Sequence, residues 1–328
     1  MTEPIPVIER MGIRKGFPMN PKGYAQRFAK DIEWYFDKLK AAEGGLQRYA
    51  TEGSFKFSVA SWDPNQPATW HDYTRTHALG DLHMVAQSLR AVYIADALHA
   101  KSPNWRDHQY RAYAYSCWHY WIGGGYFMIE NASSAMAHSM IFGWTDMAIQ
   151  LARRAYIELD KPRYRLWTRE QCGPDFYEVN HWQLRSGVFI LKLMTQWLGK
   201  PDLWDQTKWF YENPIHNYLL QHWDTPNPAD LAPLLLAVCD YRTHQSRIHS
   251  RNGHFDFDDP ADWYDPYEVL LVLKLRRLKG LANPTLDHIL MSTPMAQLPE
   301  PTELYSDSLL EGVLARVRLD RPDLLVAI

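Results

Sequence analysis

The chain has 328 residues, 46% of them hydrophobic, with 14 Trp, 19 Tyr and a formal net charge of −3. That length can bury a substantial core, and the slightly acidic balance excludes a general polyanion binder, which needs a surplus of Lys and Arg on one face. Nucleic acid is therefore not an expected partner, and the aromatic load predicts either a thick aromatic core or a large recognition surface.

Cys117, Cys172 and Cys239 stand alone without CxxC spacing, which argues against a disulfide framework and a structural zinc site and predicts buried thiols in a reducing compartment. The N-terminal MTEPIPVIERMGIRKGF carries acids and prolines where a secretory segment needs an apolar run. No stretch approaches the length of a membrane span. The expectation is a soluble, cytoplasmic protein with no membrane association and no cofactor.

Residues 1–21 hold Pro4, Pro6, Pro18 and Pro21 and read as an extended arm, laid on the body or mobile. A single large helical domain is expected over 22–328, with a soft internal boundary near 160–174. Its first helix runs from about Lys22 to Glu43, with Tyr24, Phe28, Ile32, Phe36 and Leu39 on one face and Gly44-Gly45 as terminator. From Thr51 to Trp70 the helical period is lost, which predicts a long loop or a short hairpin. Helices follow over His77–Ala100, from Ser102-Pro103-Asn104 to Ile122, over Asn131–Leu159 and over Asp175–Leu198. Asn213-Pro214, Asn227-Pro228, Asp265-Pro266 and Asn283-Pro284 read as four further helix starts of one design, a capping side chain followed by proline at the first helical position. At Asp265, Glu268 would complete a capping box, with Gly280 ending that helix. Ser306 or Asp307 caps the last. The class is all-α, with about ten helices stacked as antiparallel hairpins and no significant sheet.

No catalytic motif of high specificity is present. His71-Asp72 lacks the preceding histidine that an adjacent His-Asp metal site needs, and His77, Asp81 and His83 do not share one helical face. Arg242 with His249 and Arg247 with His254 match only the loosest spacing of an Arg…His phosphate-cleaving pair. Trp62, Trp70 and Tyr73 could stack on sugar rings, but glycoside chemistry needs two paired carboxylates, and nothing pairs Asp63, Asp72, Glu130 and Asp175. A helical enzyme, glycan-active or a metal-dependent hydrolase, is the alternative reading.

The densest local signal is HFDFDDPADWYDPYE. Its acids do not align with a calcium loop, and aromatic residues interleave them. Phe255, Asp256, Phe257, Asp258, Asp259, Asp262, Trp263 and Tyr264 thus form the candidate partner-binding patch, an acidic and aromatic surface suited to a basic partner.

The following block, PYEVLLVLKLRRLKGLANPTLDHILMSTP with a short terminal helix, resembles the all-helical immunity proteins encoded beside toxins of bacterial interbacterial-competition systems, including type VI secretion. The resemblance covers residues 215–320 and lies in the capping proline, the Leu-Arg-Arg helix and the Asn-Pro restart. It implies a non-enzymatic inhibitor that neutralises a cognate toxin by occluding its active or substrate-binding surface. For a nuclease toxin the acidic patch would act as a phosphate mimic. Oligomeric state is left open.

Overall fold

Two Asn-Pro pairs open helices as the sequence predicts. In the computed structural model, which describes residues 8–53, 55–60, 70–75, 79–122, 129–159, 185–199, 213–248 and 255–325, the Asn213 side chain accepts from the Ile215 amide (3.0 Å) and the Asn227 side chain from the Ala229 amide (3.1 Å). Each satisfies an amide that has no partner within its own helix.

The first helix is two. Helix α1 spans Pro21–Lys30 and α2 spans Ile32–Glu52, with the chain turning at Asp31. Gly44 and Gly45 lie inside α2 instead of ending it. Two interior glycines cost roughly 1 kcal/mol each, and burial of Leu46 and Tyr49 in the next turns offsets this by about 2 kcal/mol or more per side chain. The true terminator is Gly53, at φ +76°. The break at Asp31 also shifts the helical phase. Tyr24, Phe28 and Leu39 stay buried, while Phe36 is 47% exposed and leaves the expected apolar face.

Strands β1 (Phe55–Ala60) and β2 (Trp70–Arg75) pair antiparallel, Phe55 opposite Arg75 and Ala60 opposite Trp70, so the non-helical stretch is a hairpin. Helix α3 (Asp81–Ile94) continues as a wider π turn over Ala95–Ala100 and stops at Lys101, which takes the left-handed conformation. Helix α4 follows over Trp105–Ile122.

The helix expected over 131–159 is also two, α5 (Ile129–Phe142) and α6 (Thr145–Leu159). Gly143 separates them at φ +92°, and a Cβ there would stand 2.8 Å from the ring of Pro301. The Thr302 amide donates to the Phe142 carbonyl at 2.9 Å, so a distant C-terminal loop satisfies the end of α5. Helix α7 (Arg185–Trp197) is the described part of the helix expected from Asp175.

Helices α8 (Pro214–His222), α9 (Pro228–Gln245), α10 (Tyr267–Leu278) and α11 (Ser308–Asp320) complete the set. Asp307 caps α11 by accepting from the Leu310 amide at 2.9 Å. Asn283-Pro284 opens no helix. Its Asn283 side chain donates back to the Leu273 carbonyl (2.9 Å), and an irregular stretch leads to a short turn at Ile289–Ser292.

The fold is all-α, with α2 against α3, α3 against α4, α4 against α5, and α5 meeting α6, α7 and α10. Buried side chains from Phe17 to Val317 form one connected hydrophobic cluster. Residues 160–174 lie outside the described residues. Part of the N-terminal arm is held down. Arg10 makes two hydrogen bonds to Asp240, both 2.9 Å, the Gly12 amide donates to the same carboxylate, and Phe17 is buried. No helix among the described residues is long and apolar enough to cross a membrane.

Candidate recognition cleft

The segment from Phe255 to Tyr264 turns largely inward. Asp256 is buried, accepts from the Ser186 amide at 3.1 Å, and has its carboxyl pushed up by that burial. Phe257 is covered by the Arg242 guanidinium, 3.7 Å from its ring centroid. Asp259 accepts from the Ala261 amide (2.8 Å) to start a short turn, and its other oxygen lies 3.3 Å from Arg90. Asp262 accepts from Arg90, and Tyr264, 1% exposed, donates to the Pro18 carbonyl. Trp263 donates to the Phe257 carbonyl at 3.0 Å. Phe255 and Asp258 are half-buried.

This corrects the picture of an open acidic surface offered to a basic partner. A carboxylate loses hydration on burial and is stable there only with a compensating charge or donors. The fold supplies them from its own helices, with Arg90 on α3 and Arg242 on α9 both buried.

Behind the segment the same logic continues. Glu268 and Arg242, 1% and 0% exposed, form an ion pair, and Arg242 also donates to the Asp262 carbonyl. Asp265 does not cap α10. The residue at that boundary is Pro266, and Asp265 instead receives Tyr113 (2.9 Å) and His138 (3.2 Å). Burial alone would raise its carboxyl, but His138, Arg242 and the Tyr113 hydroxyl outweigh it and hold the group at about 2. The His138 ring stacks on Tyr113 at 3.6 Å. Asp265 and Glu268, expected as a reciprocal capping pair, are therefore committed to tertiary contacts.

Trp263 of this segment lines a cleft of about 520 Å3 together with Arg14, Tyr24, Arg27, Arg247 and Ile248 among others. Among the described residues no carboxylate pairs with these arginines. Arg14 donates to the carbonyls of Thr243 (2.9 Å), Ser246 (3.1 Å) and Lys15 (3.2 Å). Arg27, on α1, lies 4.3 Å from the Tyr24 ring and 4.9 Å from Trp263, two rings that stack on each other. Arg247, past the end of α9, sits 5.4 Å from Phe255. Burial, reinforced by Arg247, pulls the Arg14 guanidinium below its usual range.

Other sequence candidates separate. His71, Asp72 and Tyr73 lie on β2 opposite Val59, Ser58 and Phe57, and Trp70 lies on the same strand. Trp62, Asp63, His77, Cys172, Asp175, His249 and His254 fall outside the described residues, as does the side chain of Glu130. His83 meets His119 across α3 and α4 in a tilted arrangement, ring centroids 5.1 Å apart, and burial pushes it down to about 4. Cys117 and Cys239 are buried free thiols. Arg242 is enclosed, so it cannot approach a substrate phosphate. Among the described residues no three His, Cys, Asp or Glu side chains gather as a metal site.

Of the eight residues of the candidate patch Trp263 lines the cleft, while the sequence marks Arg247 for a different chemistry and does not single out Arg14 and Arg27. Arg14 and Arg247 are more than two hundred positions apart and meet only because the arm crosses the end of α9. The one local signal was Tyr24 and Arg27, three residues apart on one helical face. No family model, no curated protein and no solved structure matches this chain.

Proposed function

We propose that this chain is a cytoplasmic binding protein that neutralises a cognate toxin by occluding its active or substrate-binding surface, with the cleft above Trp263 as its recognition face. The observation that carries the reading is the cleft itself, lined by Tyr24 and Trp263, rimmed by guanidinium groups and backed by a buried ion pair. Arginine and tryptophan are the side chains that most often dominate protein interfaces. A rigid floor also lowers the ordering cost of association.

Four carboxylates among the described residues are engaged with basic side chains of the chain itself. Asp240 is paired with Arg10, Asp262 with Arg90, Asp265 with His138 and Glu268 with Arg242. Occlusion requires no reacting group, only area and complementarity.

The test is expression in sensitive cells of each gene flanking that of this chain, with and without the chain. One neighbour should arrest growth, co-expression should restore it, and the purified pair should elute as a stoichiometric complex. Growth arrest that persists with the chain present, or the absence of any toxic neighbour, would refute the reading.

A further inference from the structure

The rim of the cleft brings three guanidinium groups, those of Arg14, Arg27 and Arg247, to one place. Arg10 pairs with Asp240, Arg111 with Glu43 and Asp307, and Arg242 with Glu268, while Arg106 and Arg276 are held by carbonyl oxygens. Among the described residues, no carboxylate stands within ion-pair distance of Arg14, Arg27 or Arg247. We propose that this cleft binds carboxylate side chains, receiving an acidic segment of a partner protein between Arg14, Arg27 and Arg247 over the Tyr24 and Trp263 rings. The inference rests on the binding-protein reading and specifies the chemistry of the partner.

Three physical points carry it. The Arg27 guanidinium lies over the Tyr24 and Trp263 rings, 4.3 and 4.9 Å from their centroids, and a guanidinium packed on aromatic faces keeps N–H donors for a bidentate carboxylate. Arg14 is held by three backbone carbonyls and still has unused donors. Both are oriented before a ligand arrives, so little side-chain freedom is lost on binding. Arg14 and Arg247 line the same cleft, and an anion between their like charges relieves their repulsion.

The shape selects a peptide. About 520 Å3 accommodates a few side chains. Ile248 on the rim is 58% exposed, and Met19, next to lining residue Pro18, is 56% exposed. These apolar flanks suit a segment that alternates acidic and aliphatic residues. A nucleic acid strand would need a longer basic track, and the chain's net charge of −3 opposes it.

The test is fluorescence anisotropy of two labelled octapeptides, one alternating Glu and Leu, the other Lys and Leu, titrated with the full-length protein at low and moderate salt. The glutamate peptide should bind, weaken at least tenfold in the R27E/R247E variant, weaken with salt, and be preferred over the lysine peptide by at least tenfold. If charge reversal perturbs folding, R27Q/R247Q is expected to give the same ordering with a smaller loss. Equal binding of both peptides, unchanged affinity in the variants, or tighter binding of a single-stranded oligonucleotide would overturn the proposal. The growth assay runs in parallel. Intact protection by R27E/R247E would sink the carboxylate site alone, whereas a missing toxic neighbour would sink the neutralisation reading and leave the peptide result standing.

Discussion

Replacing Arg242 with methionine should be among the most damaging single changes in this protein, although the residue never reaches the surface. Arg242 is 0% exposed, pairs with Glu268 at 1% exposure, donates to the Asp262 carbonyl, and lies 3.7 Å from the Phe257 ring and 4.8 Å from the Tyr267 ring. Methionine preserves much of the apolar stem and removes the charge. Burial already raises the Glu268 carboxyl, with Arg242 as its main compensation. Without that compensation it must stay charged in an apolar site or take up a proton at neutral pH. Breaking a buried pair on one side costs about 3–5 kcal/mol, and the two ring contacts add about 1 kcal/mol or more. That is a large part of the roughly 5–15 kcal/mol that separates a folded domain from its unfolded chain. The assay is urea denaturation of the wild type, Arg242→Met, Glu268→Leu and the double variant. Each single change should lower the midpoint strongly, and the double variant should recover part of the loss because Glu268 and its need for a counter-charge are both gone. A single-variant cost below about 1 kcal/mol, or a double-variant cost equal to the sum of the two, would refute the argument.

Two further outcomes follow from the same structure. His216 is buried, stacked on Phe189 at 4.6 Å, and burial pushes it down to about 3. Its folded value lies below the unfolded value of about 6.5, so the stability it contributes as a neutral ring is present above that pH and is lost on acidification toward 3, by about 1.4 kcal/mol per pH unit. A His216→Phe variant should show a shallower fall in denaturation midpoint between pH 6.5 and 4, and identical slopes would contradict this. Asp240 anchors the arm through Arg10 and the Gly12 amide, so Asp240→Asn should cost about 1.5–3 kcal/mol. It should also speed tryptic cleavage at Arg10 and Arg14, and an unchanged cleavage rate would show that other contacts hold the arm.

Local chemistry settled where many helices begin. Asn213, Asn227 and Asp307 each satisfy an amide of their own helix, a contact needing only neighbours in the chain, and the helical period alone determined the all-α class. The same local rules misread Asp265 and Glu268. They have capping chemistry, but Tyr113, His138 and Arg242 come from distant helices and offer more to a buried carboxylate than a helix amide does. Gly44-Gly45 and Gly143 make the same contrast. The first pair stays helical because Leu46 and Tyr49 find a core, and the second position breaks because Pro301 and Thr302 pack across it. The acidic segment could be recognised as unusual from its composition, but its partners could not. Whether a charge meets solvent, a ligand or an internal counter-ion depends on what the fold brings within a few ångströms of it, and here tertiary structure paired the acids internally and left the arginines at the cleft.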